Sequence, residues 1–353
     1  MTIPAKMKAA ILVEQNKPLI IDDVELPQEL EVGQVLVKIH FSGICGSQLG
    51  EIDGAKGEDK FLPHLLGHEG SGVVVAIGPG VRHVKTGDKV VLHWRKGLGI
   101  EASPPVYRWQ GKKLNAGWIT TFNEYAIVSE NRLTSIPEHS DLDVAALFGC
   151  AVTTGFGVVV NNAKLNIGES VVIFGAGGVG LNIVQAASLV SAYPIIAVDI
   201  HENRLKLARE LGATHLINSR HEDALQCINE IAGAHNIDCF IDNTGNPGII
   251  NLGYQVTKPQ GRVTLVGVPR KGNDLSIHSL PLHFGKTLSG SHGGESLPHL
   301  DIPRYHSLYQ NGRIKLRELL TETLRLDEIN LAIERMRSGE MSGRCLLQLT
   351  TES

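Results

Sequence analysis

No stretch of the 353-residue chain is apolar for long enough to cross a bilayer as a helix. The first residues, MTIPAKMKAAILVEQ, lack the apolar core and small-residue cleavage site of a secretory leader. Cysteine is scarce: five, at 45, 150, 227, 239 and 345, an odd number scattered along the chain. That argues against a disulfide framework and for a reducing compartment, so the expected location is the cytoplasm. An excess of one charge is also missing. Lys and Arg number 33 against 37 Asp and Glu, for a net charge of −4, which gives no reason to expect nucleic acid as a partner. No internal repeat or low-complexity tract is visible. What is present is an ordinary globular composition, 42% hydrophobic and 20% charged, on a length that suits about two domains.

The most informative stretch is Val171–Asp199, VVIFGAGGVGLNIVQAASLVSAYPIIAVD. A short strand-like run, Val171–Phe174, leads into Gly175, Gly177 and Gly180, which fit G-x-G-x-x-G. A mostly apolar helix-like segment follows to about Val190, then a second apolar run ending on Asp199. This is a βαβ unit with its acid about 20 positions after the turn, the context that gives the glycine pattern meaning. Gly175 allows the tight turn. Gly177 lets a pyrophosphate approach the backbone, and Gly180 lets the helix lie close to the sheet. The helix N-terminus offers free N–H groups to the phosphates. Asp199 can accept from both ribose hydroxyls and would repel a 2′-phosphate, so NAD is expected over NADP.

Residues 1–150 read as mostly β. Ala9–Val13, Val35–Ser42, Gly72–Ala76 and Lys89–Leu92 are short branched runs, separated by turn residues such as GPG at 78–80 and TGD at 86–88. Such crowded strands suit a partly open β-barrel. Three glycine-flanked fragments stand out here: Gly43-Ile44-Cys45-Gly46-Ser47, Gly67-His68-Glu69-Gly70 and Gly149-Cys150. Alone, a cysteine is usually a small buried hydrophobe and a histidine a hydrogen-bonded structural residue. Together, two thiolates and an imidazole are a ligand set for a catalytic zinc with an open position. After Asp199, Asn203–Leu211 reads as a helix ended by Gly212, and Cys239–Ile241 and Gly261–Val268 read as strands. Strands alternating with helices imply a doubly wound parallel sheet. Near the end, Leu326–Arg337 reads as a helix and Arg344–Leu349 as a strand. Cys227, Cys239 and Cys345 read as core.

These fragments in this order (GICGS, GHEGSG, GD-x-V at 87–90, GCAVTTGFG, GAGGVG and SGSHGG at 289–294) resemble the zinc-dependent medium-chain dehydrogenases, the alcohol and polyol dehydrogenases. The resemblance covers nearly the whole chain. It implies an α/β architecture: a GroES-like, partly open β-barrel catalytic domain at 1–151, a Rossmann domain with a doubly wound parallel sheet at 152–291, and a return segment at 292–353 that completes the catalytic domain. The active site is then expected in the cleft between domains. By resemblance, Cys45, His68 and Cys150 hold the zinc, a ligand set already attested for alcohol dehydrogenase. Glu69 matches the nearby acid, and Ser47 the hydroxyl that passes the substrate proton. Thr154 matches a residue packed on the nicotinamide, Asp199 the ribose acid and Arg204 a basic neighbour of the adenosine ribose. Gly175, Gly177, Gly178, Val179 and Gly180, with Val266 and Val268, complete the expected cofactor contacts. The implied reaction is NAD-linked oxidation of an alcohol, or reduction of the matching carbonyl, by a homodimer or homotetramer.

The chain also departs from the family pattern. Many relatives carry a structural zinc on four cysteines in a loop after GD-x-V. Here His93–Trp118 contains none, so one catalytic zinc and no structural zinc are expected. That loop holds Arg95, Lys96, Arg108, Lys112 and Lys113 against Glu101. It reads either as a solvated surface or as a basic lid for an anionic substrate. Gly46 stands where some relatives have an arginine, Gly50 where some have a relay histidine, and Gln48 replaces a common aspartate. A Gln48 carbonyl could accept from the ligand imidazole. Trp94, Trp118 and Phe122 are candidates for an apolar substrate wall, or simply core. Two other readings of the chain are a zinc-free reductase, against which the ligand set and Asp199 speak, and a non-catalytic NAD(H)-binding protein on the same fold.

Overall fold

The computed structural model describes residues 3–350, which form two compact units: residues up to 150 together with those from 297 onward, and residues 151–296.

In the first unit the strand Gln34–Gly43 is the organising element. One edge pairs antiparallel with Glu69–Ile77. The other pairs with Tyr125–Ser129 along its first half and with Arg344–Gln348 along its second. Lys89–His93 and Leu133–Ser135 extend the sheet on one side and Leu320–Arg325 on the other. A second, five-stranded sheet, built on Lys6–Leu12 and Ile20–Glu25, packs its own apolar cluster of Met7, Ile11, Val24, Tyr107 and Leu114. Short branched strands with turn glycines between them give the GroES-like, partly open barrel.

Strand register sets the surroundings of the central strand's end. Ser42 stands opposite Gly70 on one side and Leu347 on the other. The end of the central strand therefore lies between the start of Glu69–Ile77 and the start of Arg344–Gln348. A Cβ on Gly43 would press on both the Glu69 carboxyl and the Arg344 guanidinium.

The second unit is a six-stranded, all-parallel sheet. In space the strands run His215–Asn218, Ile195–Asp199, Val171–Phe174, Ile237–Asp242, Thr257–Leu265 and Thr287–Gly290. Numbered along the chain, that order is 3-2-1-4-5-6, the Rossmann topology. The central strands are apolar almost throughout, because helices cover both faces of a doubly wound sheet. The fifth strand spans Thr257–Leu265, not the expected Gly261–Val268. Past its last pair, Leu265 with Asp242, the Val266 N–H makes the closing ladder bond to the Asp242 carbonyl, and the Gly267 N–H shares that acceptor. Among the described residues no single helix is long and apolar enough to cross a membrane.

Candidate metal centre and cofactor site

Cys45 ends the turn that leaves the central strand, in extended backbone at the N-cap of the helix Gly46–Ile52. His68 sits in the short link between the strands His64–Leu65 and Glu69–Ile77. Gly67 before it has φ +94° with Thr121 and Phe122 packed where a side chain would be, so only glycine fits. Cys150 closes the 3₁₀ turn Leu147–Gly149. Gly149 lies against the Glu69 backbone and the Leu92 carbonyl, and this contact brings Cys150 to the others.

The two sulfurs and one imidazole nitrogen lie within 4.8 Å of one another. Both cysteines are buried, and neither is in a disulfide. His68 Nε2 is buried with no hydrogen-bond partner, a costly state for a neutral ring nitrogen unless a cation is its partner. The Cys45 thiol is held well below the ordinary range, first by a hydrogen bond from Cys150, then by His68 and Arg344, against the opposing effect of burial. Two soft thiolates and an imidazole are a donor set that suits zinc and leaves a fourth position open.

Glu69 is fully buried and ion-paired with Arg344, itself 4% exposed, from the C-terminal strand. Sequence reasoning missed Arg344. Its charge reaches Cys45 as well as Glu69. Ser47 is exposed on the first turn of Gly46–Ile52. Gln48 does not bond the His68 imidazole. Its Nε2 donates to Glu51 Oε2 at 3.2 Å, and its Oε1 is buried without a partner.

A cavity of about 610 Å³ opens beside His68. Its wall includes Gln48, Phe61, Leu66, Pro105 and Trp118. Of the three aromatic candidates only Trp118 lines it. Phe122 is fully buried, and Trp94 packs on the core of the unit. Of the five basic residues in the loop only Lys113 reaches this wall, while Lys96 pairs with Glu101 at 2.6 Å.

In the second unit Gly175 has φ +94°, and a Cβ on Gly180 would run into the Gly175 carbonyl. Gly177 faces open space and caps the helix Gly178–Leu189 without any side-chain bond to the first-turn N–H groups. That leaves Gly178, Val179 and Gly180 as an open cradle at a helix N-terminus, the arrangement a pyrophosphate needs. Asp199 is 5% exposed. Its Oδ2 accepts from Ala176 N at 2.7 Å and its Oδ1 from His201 N at 2.9 Å, so it also pins the glycine turn. Each oxygen keeps a further lone pair for a ribose hydroxyl. Arg204 lies 3.8 Å from Asp199. Thr154 is buried in the helix Ala151–Gly157, and Val268 is exposed beyond the fifth strand.

Residues 31–138 match the alcohol dehydrogenase GroES-like domain family and residues 178–311 the zinc-binding dehydrogenase family. The chain is 31% identical to an S-(hydroxymethyl)glutathione dehydrogenase of Paracoccus denitrificans over 95% of its length and 98% of the relative's. Its structure is similar to an alcohol dehydrogenase zinc-binding domain protein from Burkholderia ambifaria. The TM-score is 0.89 at 31% identity, covering 98% of this chain and 99% of the other. The benzyl alcohol dehydrogenase of Acinetobacter calcoaceticus matches with a TM-score of 0.88 at 30% identity, again over 98% and 99% of the two chains.

Proposed function

The chain belongs to the zinc-dependent medium-chain alcohol dehydrogenases, and from that premise we propose that Cys45, His68 and Cys150 hold its one catalytic zinc at the edge of the cavity that receives the alcohol. The enzyme is an oxidoreductase that transfers hydride between an alcohol, or its carbonyl, and NAD(H). The observation that carries the site assignment is the convergence of three donors on one point, with His68 Nε2 left otherwise without a partner.

When bound, zinc supplies Lewis-acid polarisation of the alcohol oxygen and NAD supplies the hydride acceptor. The chain's own residues do the rest. Cys45 and Cys150 provide thiolate charge, and the Glu69–Arg344 pair fixes the wall behind them. Ser47, exposed on the first turn of its helix, would take the hydroxyl proton, and with glycine at position 50 no side chain there relays it onward. The glycine turn at Gly175–Gly180 receives the pyrophosphate, and Asp199 with Arg204 receives the adenosine ribose. Thr154, Val266 and Val268 border the nicotinamide half.

The cavity wall of Phe61, Leu66, Pro105 and Trp118 supports an alcohol with an apolar body. Lys113 in the same wall supports a second reading, an alcohol that carries a distal carboxylate or phosphate. The domain assignment belongs to the same proposal, with 1–151 and 292–353 catalytic and 152–291 for the cofactor. So do a homodimeric or homotetrameric assembly and a cytoplasmic location, which suits five cysteines outside any disulfide. The test is a dehydrogenase assay over aromatic, aliphatic, polyol and acidic alcohols with NAD and NADP. Cys45→Ser and His68→Ala are expected to abolish turnover while NAD still binds. Full activity of either variant would overturn the assignment.

A further inference from the structure

Four donor-bearing side chains meet in the cavity wall away from the two cysteines: Gln48, Glu51, Asp59 and His64. His64 is 6% exposed. Its Nδ1 lies 2.9 Å from the Leu65 carbonyl, which can only accept, so Nδ1 carries a proton. In the neutral ring Nε2 then presents a lone pair. It points at Asp59 Oδ2, 2.7 Å away, with Glu51 Oε1 at 4.0 Å. Two acceptors at that separation need something positive between them.

A second proton on His64 would satisfy the Asp59 contact alone. It would leave the buried Gln48 Oε1 without a partner, although Gln48 is 4% exposed and tied to the same cluster through its bond to Glu51. A divalent cation answers both needs. Donors about 2.1 Å from a tetrahedral ion stand about 3.4 Å apart, between the two spacings observed here. The surrounding bonds are those of an oriented ligand shell. The spare imidazole N–H goes to a backbone carbonyl, and Asp59 Oδ1 is held by the Phe61 N–H at 2.8 Å. We propose that Glu51, Asp59 and His64, with the Gln48 carbonyl, form a second cation site for an ion that accepts imidazole and carboxylate ligands, such as Mn²⁺, Co²⁺ or Zn²⁺. The site straps the segment between the helix bearing Ser47 and the strand that precedes His68. Its half-exposed Glu51 makes it weaker than the thiolate centre, so it fills on titration and empties on dialysis.

The experiment is Mn²⁺ titration of dialysed holoenzyme that retains its catalytic zinc, followed by electron paramagnetic resonance and calorimetry. Wild type is expected to bind one further equivalent. Asp59→Asn and Glu51→Gln are expected to weaken that equivalent at least about tenfold, with circular dichroism confirming that both are folded. Cys45→Ser weakens the thiolate centre but keeps the Mn²⁺ equivalent, which separates this proposal from the catalytic reading. No Mn²⁺ uptake by wild type, or uptake unchanged in both carboxylate variants, would overturn it.

Discussion

Arg344 shows what a single side chain contributes that its neighbours in sequence do not reveal. It is buried beside Glu69, and its charge acts on Cys45. Nothing in RCLLQ marks it, because the pairing depends on which strand lies beside Gln34–Gly43. The convergence of Cys45, His68 and Cys150, proposed to hold zinc, was foreseeable for the opposite reason: each sits in a short glycine-flanked fragment whose local geometry is the signal. Removing one partner of a buried pair strands the other charge. Arg344→Met is therefore expected to lose about 3–5 kcal/mol of stability and to weaken zinc binding, both read by chemical denaturation and metal competition. The double variant Glu69→Gln/Arg344→Met should recover part of that loss. His93 is a second such residue. Burial pushes its imidazole down to about 4, while Nδ1 faces the Arg95 carbonyl and Nε2 faces Thr134 Oγ1. A depressed folded value means the contribution is complete above the unfolded value near 6.5 and is lost as the pH falls toward 4. Wild type should lose up to about 3 kcal/mol more than His93→Gln between pH 7 and pH 4, measured by urea unfolding.

At the scale of elements, the nucleotide unit could be read almost whole. Strand, glycine turn, helix and acid follow in order, and Val171–Phe174, Gly178–Leu189 and Ile195–Asp199 fold accordingly. The bond from Ala176 N–H to Asp199 was not legible, since it needs the turn and the second strand in register. Gly180→Ala would push the helix off the Gly175 carbonyl. It is expected to lower stability by about 1–3 kcal/mol and to raise the NAD dissociation constant, by calorimetry and fluorescence titration. Elements without a clean period were harder to foresee. Pro298–Gln310 is a helix with Pro303 inside and few buried residues, so neither its pattern nor its composition announces it. The bounds of the strand Thr257–Leu265 follow its pairing with Ile237–Asp242 and Thr287–Gly290, contacts no local pattern encodes.

For the molecule as a whole, each unit carries a distinct part of the chemistry. The barrel unit gathers Cys45, His68 and Cys150 around a cavity. The parallel unit offers an open helix N-terminus beyond its first strand. Family membership was legible because its fragments recur in order along most of the chain. Substrate choice was not, because the cavity wall is assembled from loops such as 104–119, where only Lys113 and Trp118 of the basic and aromatic candidates take part. A strong chelator is expected to abolish turnover while NAD binding persists, with activity restored by added zinc. The most direct test of the central claim is X-ray absorption at the zinc edge of dialysed protein. The account requires two sulfur neighbours at about 2.3 Å and one imidazole nitrogen at about 2.0–2.1 Å, with the sulfur count falling to one in Cys150→Ser. A fully active protein without zinc, or a zinc surrounded only by nitrogen and oxygen, would contradict it.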